Sequence, residues 1–229
     1  MVAPLPAVSE ERFHQERWVP PEGSTGLALV RHGASAAAIP GRPFPMLDGQ
    51  GDPPLAPQGV EQARRVAERL AGEPLTGMFV SPFARATATA EPIAAACGLE
   101  PVVIADLREV HTGELEGGEF RIRVARGDGL IERLFAEERW DVIPGAEADE
   151  AFAARVAGAV AAVAGAAGPG AAVVVVTHGA FIAEACRQAT ASRPFAFLNV
   201  DNASITRLVV LPGGRQVLLG FNDTAHLSE

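Results

Sequence analysis

Tyrosine is absent from these 229 residues, and only two cysteines, two tryptophans and three methionines occur. The missing tyrosine, like the abundance of Ala, Gly and Pro, reads as a coding bias without functional meaning. Cys97 and Cys186 are too few for a disulfide framework or a metal cluster, and both fall in apolar helical patterns, as buried free thiols do. Positive charge is scarce: Lys+Arg 19 against Asp+Glu 28 gives a formal net charge of −9. That speaks against nucleic-acid binding and against docking on an anionic membrane. It leaves a small anionic ligand open, because local charge in a pocket decides that. Long apolar runs are missing too. The longest, around 171–176, is strand-sized, so no membrane span is expected. The start, MVAPLPAVSEERFHQERW, lacks a basic stretch followed by an apolar core, so no signal peptide is expected. Together these absences predict a cytoplasmic location.

What is present is ample core. Hydrophobic residues make up 48% of the chain and mean hydropathy is +0.16, enough for one large globular domain. Residues 1–25 carry Pro4, Pro6, Pro20, Pro21 and Gly23 and read as an extended arm, with His14 and Trp18 as anchors. Residues 26–229 read as a single α/β domain. Leu27–Val30 is a short apolar strand, followed by a Pro- and Gly-rich loop over 39–55 with no regular structure expected. From Pro57, residues Val60, Ala63, Val66, Ala67 and Leu70 recur at helical spacing, with Gly72 as the stop. Strand 77–80 and a helix to Cys97, closed by Gly98, come next, then strand 101–104. Segment 118–148 is polar and irregular, helical over 130–139, and suited to a lid that sets specificity. An Ala-rich helix over 150–164 precedes GAAGPG. Strand 171–176 shows no alternation, as a strand covered on both faces would not; a helix through Cys186 follows it. Runs 204–211 and 216–221 flank a hairpin turn that could pair edge to edge in a homodimer. Strands alternating with helices predict a three-layer α/β/α sandwich with a mostly parallel sheet and a C-terminal antiparallel hairpin.

Chemistry gathers at the predicted strand ends. Arg31 and His32 close the first strand, and Gly33 is expected to allow a sharp exit at positive φ. Arg85 follows the second, Glu109 the third, and His178-Gly179 the fourth. The carboxyl ends of parallel strands share one rim, so these groups can converge. Arginine forks match phosphate oxygens, histidine serves as nucleophile or acid–base near neutral pH, and a carboxyl group can exchange a proton with a leaving group. Without a Walker-type glycine loop or a carboxylate cluster for magnesium, the set suits phosphoryl transfer with no metal and no cofactor.

The motifs RHG (31–33), DPPLAPQGVEQA (52–63), SPFARATATA (81–90), LREVHTGELEG (107–117), PGAE (144–147), VTHGA (176–180) and NDTAHL (222–227) stand in an order that resembles the histidine phosphatase superfamily, the branch of phosphoglycerate mutases and their phosphatase relatives. The resemblance implies that His32 attacks phosphorus and carries a phosphoryl group, that Arg31, Arg85 and His178 hold its oxygens with help from Ser35 and Gly179, and that Glu109, partly buried, exchanges the proton. His111 and His226 are structural in this reading. Ala38 stands where the family often has a phosphate-contacting Asn, Ala34 where Glu or Gln is common, and Ala56 where a helix-capping Thr is usual.

The implied partner is a small phosphorylated substrate. Hydrolysis is favoured, because the stretch between Glu109 and His178 is short for a mutase. A phosphoglycerate mutase and a catalytically weak phosphate-binding relative are the alternatives. Phe44, Met46, Phe120, Phe135 and Trp140 are candidates for an apolar wall, with Arg121 and Arg123 reading an anionic tail.

Overall fold

The computed structural model describes residues 13–228; Pro4 and Pro6 of the predicted arm lie outside them. In chain order the elements are β1 (Thr25–Arg31), β2 (Met46–Leu47), β3 (Gln50–Gly51), α1 (Pro57–Leu70), β4 (Gly77–Val80), α2 (Ala84–Cys97), β5 (Pro101–Val103), α3 (Glu119–Arg126), α4 (Gly129–Glu137), α5 (Asp149–Ala167), β6 (Ala172–Thr177), α6 (Gly179–Thr190), β7 (Ile205–Val210) and β8 (Gln216–Asp223). Six strands form one sheet in the order β5-β4-β6-β1-β7-β8. The first four are mutually parallel; β7 runs antiparallel to β1, and β8 antiparallel to β7. The predicted architecture is the observed one.

Alternation along the strands divides the core. Leu27, Leu29, Val173 and Val175 face α5 and α6, while Ala28, Val30, Val174 and Val176 face α1 and α2. Both faces of β6 are covered, which is why its sequence is an unbroken run of small and β-branched residues. The register aligns Val30, Val176, Val80 and Val103 across the four parallel strands. Their carboxyl ends therefore reach the rim together.

Several local expectations differ from the structure. Gly33 does not adopt positive φ. It is required by proximity instead: a Cβ there would lie 2.4 Å from the Gly59 carbonyl oxygen, and one on Gly59 would lie 2.0 Å from that of Ala34. Gly59 thus takes the inward slot of α1, and Val60 is exposed. In loop 39–55, β2 and β3 form a small hairpin through Asp48-Gly49, both at positive φ; Asp-Gly is the pair this tight turn demands. Segment 118–148 holds two helices, with α3 bounded by Gly118 and Gly127 in the left-handed region. Helix α5 continues through Gly165 to Ala167, and at 19 residues it is long and apolar enough to cross a membrane by length and composition alone. It buries Phe152, Val156, Ala159, Val160 and Val163, one helical stripe, against the sheet side. His14 and Trp18 anchor nothing: both are exposed, and residues 13–20 form no regular structure. Pro20 and Pro21 lack the N–H that would let this stretch join a sheet edge.

Candidate active site

The rim built by β1, β4, β5 and β6 is where the predicted residues meet. One step past β1, His32 is 3% exposed; one step past β6, His178 is fully buried. These neighbouring strands bring the two imidazoles to 5.1 Å between ring centroids. Nδ1 of His32 lies 2.7 Å from its neighbour's carbonyl, Gly33 O. A nitrogen facing a carbonyl must carry the hydrogen, so the lone pair sits on Nε2. That atom faces Arg85, whose Nε donates to it at 3.3 Å. Burial, then the charges of Arg85 and Arg31, hold the His32 pKa well below its ordinary value. The imidazole is therefore neutral at pH 7, with its lone pair turned toward Arg85.

Three guanidinium groups surround this imidazole. Arg31 donates to Val200 O, and its Nε, although buried, has no partner among the described residues. Gly179 makes room for it, since a Cβ there would lie 3.3 Å from that Nε. Arg85 donates to Gly51 O at 3.0 Å and pairs with Asp52 at 3.4 Å, and Phe83 packs under it, 4.5 Å from guanidinium carbon to ring centroid. Burial pulls Arg85 down to about 10, and burial likewise lowers Arg31. Arg121 sits at the mouth over the Phe44 ring, donating to Ser35 Oγ and Ala36 O. Desolvation in the cleft, then the Arg31 charge, lowers its pKa. Cations lowered in this way are short of negative charge, and an incoming anion would supply it.

Glu109 is half-buried beside them. Its Oε1 accepts from Val110 N (3.1 Å) and Phe181 N (3.2 Å), and its Oε2 accepts from Ala180 N (3.2 Å). Helix α6 begins at His178 without a capping side chain of its own; Glu109 caps it from another loop. Asp52 does the same for α2, whose N-cap is Phe83: both its carboxylate oxygens accept from Ala84 N, at 2.9 and 3.1 Å. Asp52 thereby sets a negative charge beside Arg85 at the start of α2.

The cleft, about 240 Å³, is lined by Arg31, His32, Arg85, Glu109 and Arg121, with Phe44, Phe83, Phe120 and Trp140 as apolar walls. His178 lies beneath His32 rather than on the wall, and Ser35 is drawn to Arg121 at the margin. Met46 is half-exposed, and Phe135 packs on Phe195 away from the cleft, so neither belongs to the wall. Arg123 pairs with Glu119 and Asp128. Ala38 packs toward Gly118, with 3.2 Å from its Cβ to where a Gly118 Cβ would stand, and contributes no donor. His111 Nδ1 accepts from Gly113 N and His226 Nε2 bonds Ala203 O, both inside loops. A second cleft of about 300 Å³ on the other side of Trp140 contains none of the predicted catalytic residues.

Sequence reasoning passed over the groups that hold these side chains in place. Thr89 Oγ1 accepts from Gly33 N, Asn202 donates to His32 O, and Gln50 and Arg155 both donate to Glu109 O. Asp52 and Ser81 stood inside the quoted motifs, yet nothing in their spacing said which side chain each would hold.

A parallel α/β rim carrying a neutral histidine among arginines has the chemistry to hold a phosphate group. The chain belongs to the histidine phosphatase superfamily, branch 1, whose sequence pattern matches residues 27–224. It is 32% identical over 209 residues to phosphoglycerate mutase-like protein 4 of Arabidopsis thaliana, covering 89% of this chain and 87% of that one. Against the probable phosphoglycerate mutase GpmB of Photorhabdus laumondii it is 43% identical over 88 residues, which is 38% of this chain and 39% of that protein. Among solved structures it resembles a mycobacterial glucosyl-3-phosphoglycerate phosphatase, with TM-score 0.71 and 27% identity, covering 88% of this chain and 100% of the other.

Proposed function

We propose that the protein hydrolyses phosphomonoesters of a small metabolite through a phosphohistidine on His32. The observation that carries this reading is the lone pair of His32 Nε2, neutral and buried, facing Arg85, with Arg31 Nε and His178 Nδ1 both unpartnered among the described residues. His32 Nε2 attacks phosphorus in line and the bond to the leaving oxygen breaks. Arg31, Arg85 and His178 hold the non-bridging oxygens and stabilise the charge that spreads over them. Glu109 delivers a proton to the leaving oxygen. Water then attacks the phosphohistidine, Glu109 takes its proton, the P–N bond breaks, and inorganic phosphate leaves with His32 restored. Guanidinium groups meet the phosphoryl charge, so no metal is required. Arg121 adds a third cation on the side where Ala38 offers no donor and favours substrates with a second negative group.

A phosphoglycerate mutase is the second reading, favoured by the names of the Arabidopsis and Photorhabdus relatives. Hydrolysis of an aryl phosphate with EDTA present, on wild type and His32→Ala, tests both. The expected result is turnover that needs His32, survives EDTA and passes through an acid-labile, base-stable phosphoprotein. A trapped phosphohistidine that water does not discharge would establish the mutase instead. Equal inactivity of the two proteins without a phosphoenzyme would overturn the catalytic reading.

A further inference from the structure

Ser81 ends the chemistry-bearing face of β4. It is completely buried, and its hydroxyl makes one hydrogen bond among the described residues, 2.7 Å to Nε2 of His178. The backbone N–H of Ser81 donates to Val176 O at 3.0 Å, locking the residue beside β6. Phe83 closes on the same imidazole edge-on, with ring centroids 5.2 Å apart at 70°. The other ring nitrogen, Nδ1 of His178, is buried and has no partner among the described residues.

A neutral imidazole carries one hydrogen, and the bond made by one nitrogen decides the state of the other. His178 is neutral: burial, then the charges of Arg85, His32, Arg31 and Arg155, keep its pKa well below the ordinary value. Two arrangements are then conceivable. If Nε2–H donated to Ser81, the hydroxyl hydrogen would be stranded in a site with no second acceptor, and Nδ1 would be a bare buried lone pair. If Ser81 O–H donates to Nε2, the hydroxyl is satisfied and a single unmet group is left, an N–H at Nδ1. Each stranded buried polar group costs about 1–3 kcal/mol, so the second arrangement prevails. A bare lone pair on Nδ1 would repel an oxyanion carried at His32, whereas an N–H attracts one.

We propose that Ser81 is a positioning residue: its hydroxyl fixes His178 in the Nδ1–H tautomer, so that the histidine offers a hydrogen-bond donor to a phosphoryl oxygen. The inference deepens the phosphatase reading and rests on it for the identity of the anion. The tautomer itself can be read without turnover.

The test is long-range ¹H–¹⁵N correlation of the histidine rings in labelled full-length protein at pH 7, with and without inorganic phosphate. Wild type is expected to show Nδ1 protonated and Nε2 bare, and phosphate should shift the Nδ1 resonance. Ser81→Ala should populate the Nε2–H tautomer and lower kcat on an aryl phosphate about 10- to 100-fold, the scale of other buried orienting groups. Ser81→Thr, which restores the hydroxyl, should recover both. A folded Ser81→Ala protein with an unchanged tautomer would overturn the proposal. So would a wild-type spectrum with hydrogen on Nε2, a result that stands even where the variants do not fold. Wild type with the Nδ1–H tautomer and a phosphate shift but no hydrolase activity would uphold Ser81 and remove the phosphatase reading.

Discussion

Each predicted side chain at the rim is held by a bond that limits what it can do. His32 can use only Nε2, because Gly33 O claims Nδ1. Glu109 is bound by three backbone donors, so passing a proton to a leaving oxygen requires it to release at least one of them. Its role is read from the leaving group. Glu109→Gln keeps the shape of the side chain and cannot exchange the proton; it should lower kcat on an alkyl phosphate about 10²- to 10⁴-fold. On p-nitrophenyl phosphate, whose leaving group needs no proton, the loss should be far smaller. Equal losses on both substrates would show that Glu109 acts by charge or position alone.

At the scale of elements, helix ends carry the load. Neither α2 nor α6 has a capping side chain at its own start, and both receive a carboxylate from elsewhere, Asp52 and Glu109 respectively. Asp52→Ala should lower stability by about 1–2 kcal/mol, the loss of a cap at a favourable dipole position. Asp52→Asn, which keeps an oxygen acceptor, should lower it by less. Urea titration of the three proteins gives the order, and an Asp52→Ala midpoint equal to wild type would sink the capping account.

These caps also show where the sequence stops being informative. Arg31, His32, Arg85, Glu109 and His178 were legible because each follows a strand and strand ends share a rim. Helices and strands were legible from spacing. Asp52 and Ser81 were not, because their partners lie 32 and 97 positions along the chain, and only the folded arrangement of loop and sheet brings each pair together. Val60 differs for a similar reason: periodicity gives the face that Ala63, Val66, Ala67 and Leu70 bury, but in the first turn the approach of the Ala34 carbonyl gives the inward slot to Gly59. Helix α3 was missed because its ends are marked by glycines rather than by caps or an apolar stripe.

The whole molecule stores acid sensitivity in its centre. His32 and His178 are neutral when folded and titrate at about 6.5 when unfolded. Above that value they contribute no pH dependence. As pH falls below it the unfolded chain takes up protons that the folded one refuses, so stability is lost on the way down toward the folded values. Two such groups give a slope approaching about 2.7 kcal/mol per pH unit, and half-buried His226, also lowered by burial, adds in the same direction. Denaturant midpoints followed from pH 7.5 to 5.5, above the range of ordinary carboxylates, should stay level at first and fall once the pH drops through about 6.5. A flat profile there would mean the two histidines are charged in the native state.

The two carboxylate caps therefore sit on opposite sides of a division of labour. Helices α2 and α6 cover opposite faces of the sheet, and Asp52 and Glu109 act as rivets through which the outer layers are fastened at one spot. A descendant of this chain that abandoned chemistry would still be selected to keep both acids, because losing them loosens its skin. The buried histidines give the fold nothing of that kind and weaken it in acid. In judging whether a chain of this build is still an enzyme, Asp52 testifies to architecture, His32 and His178 to use, and Glu109 to both.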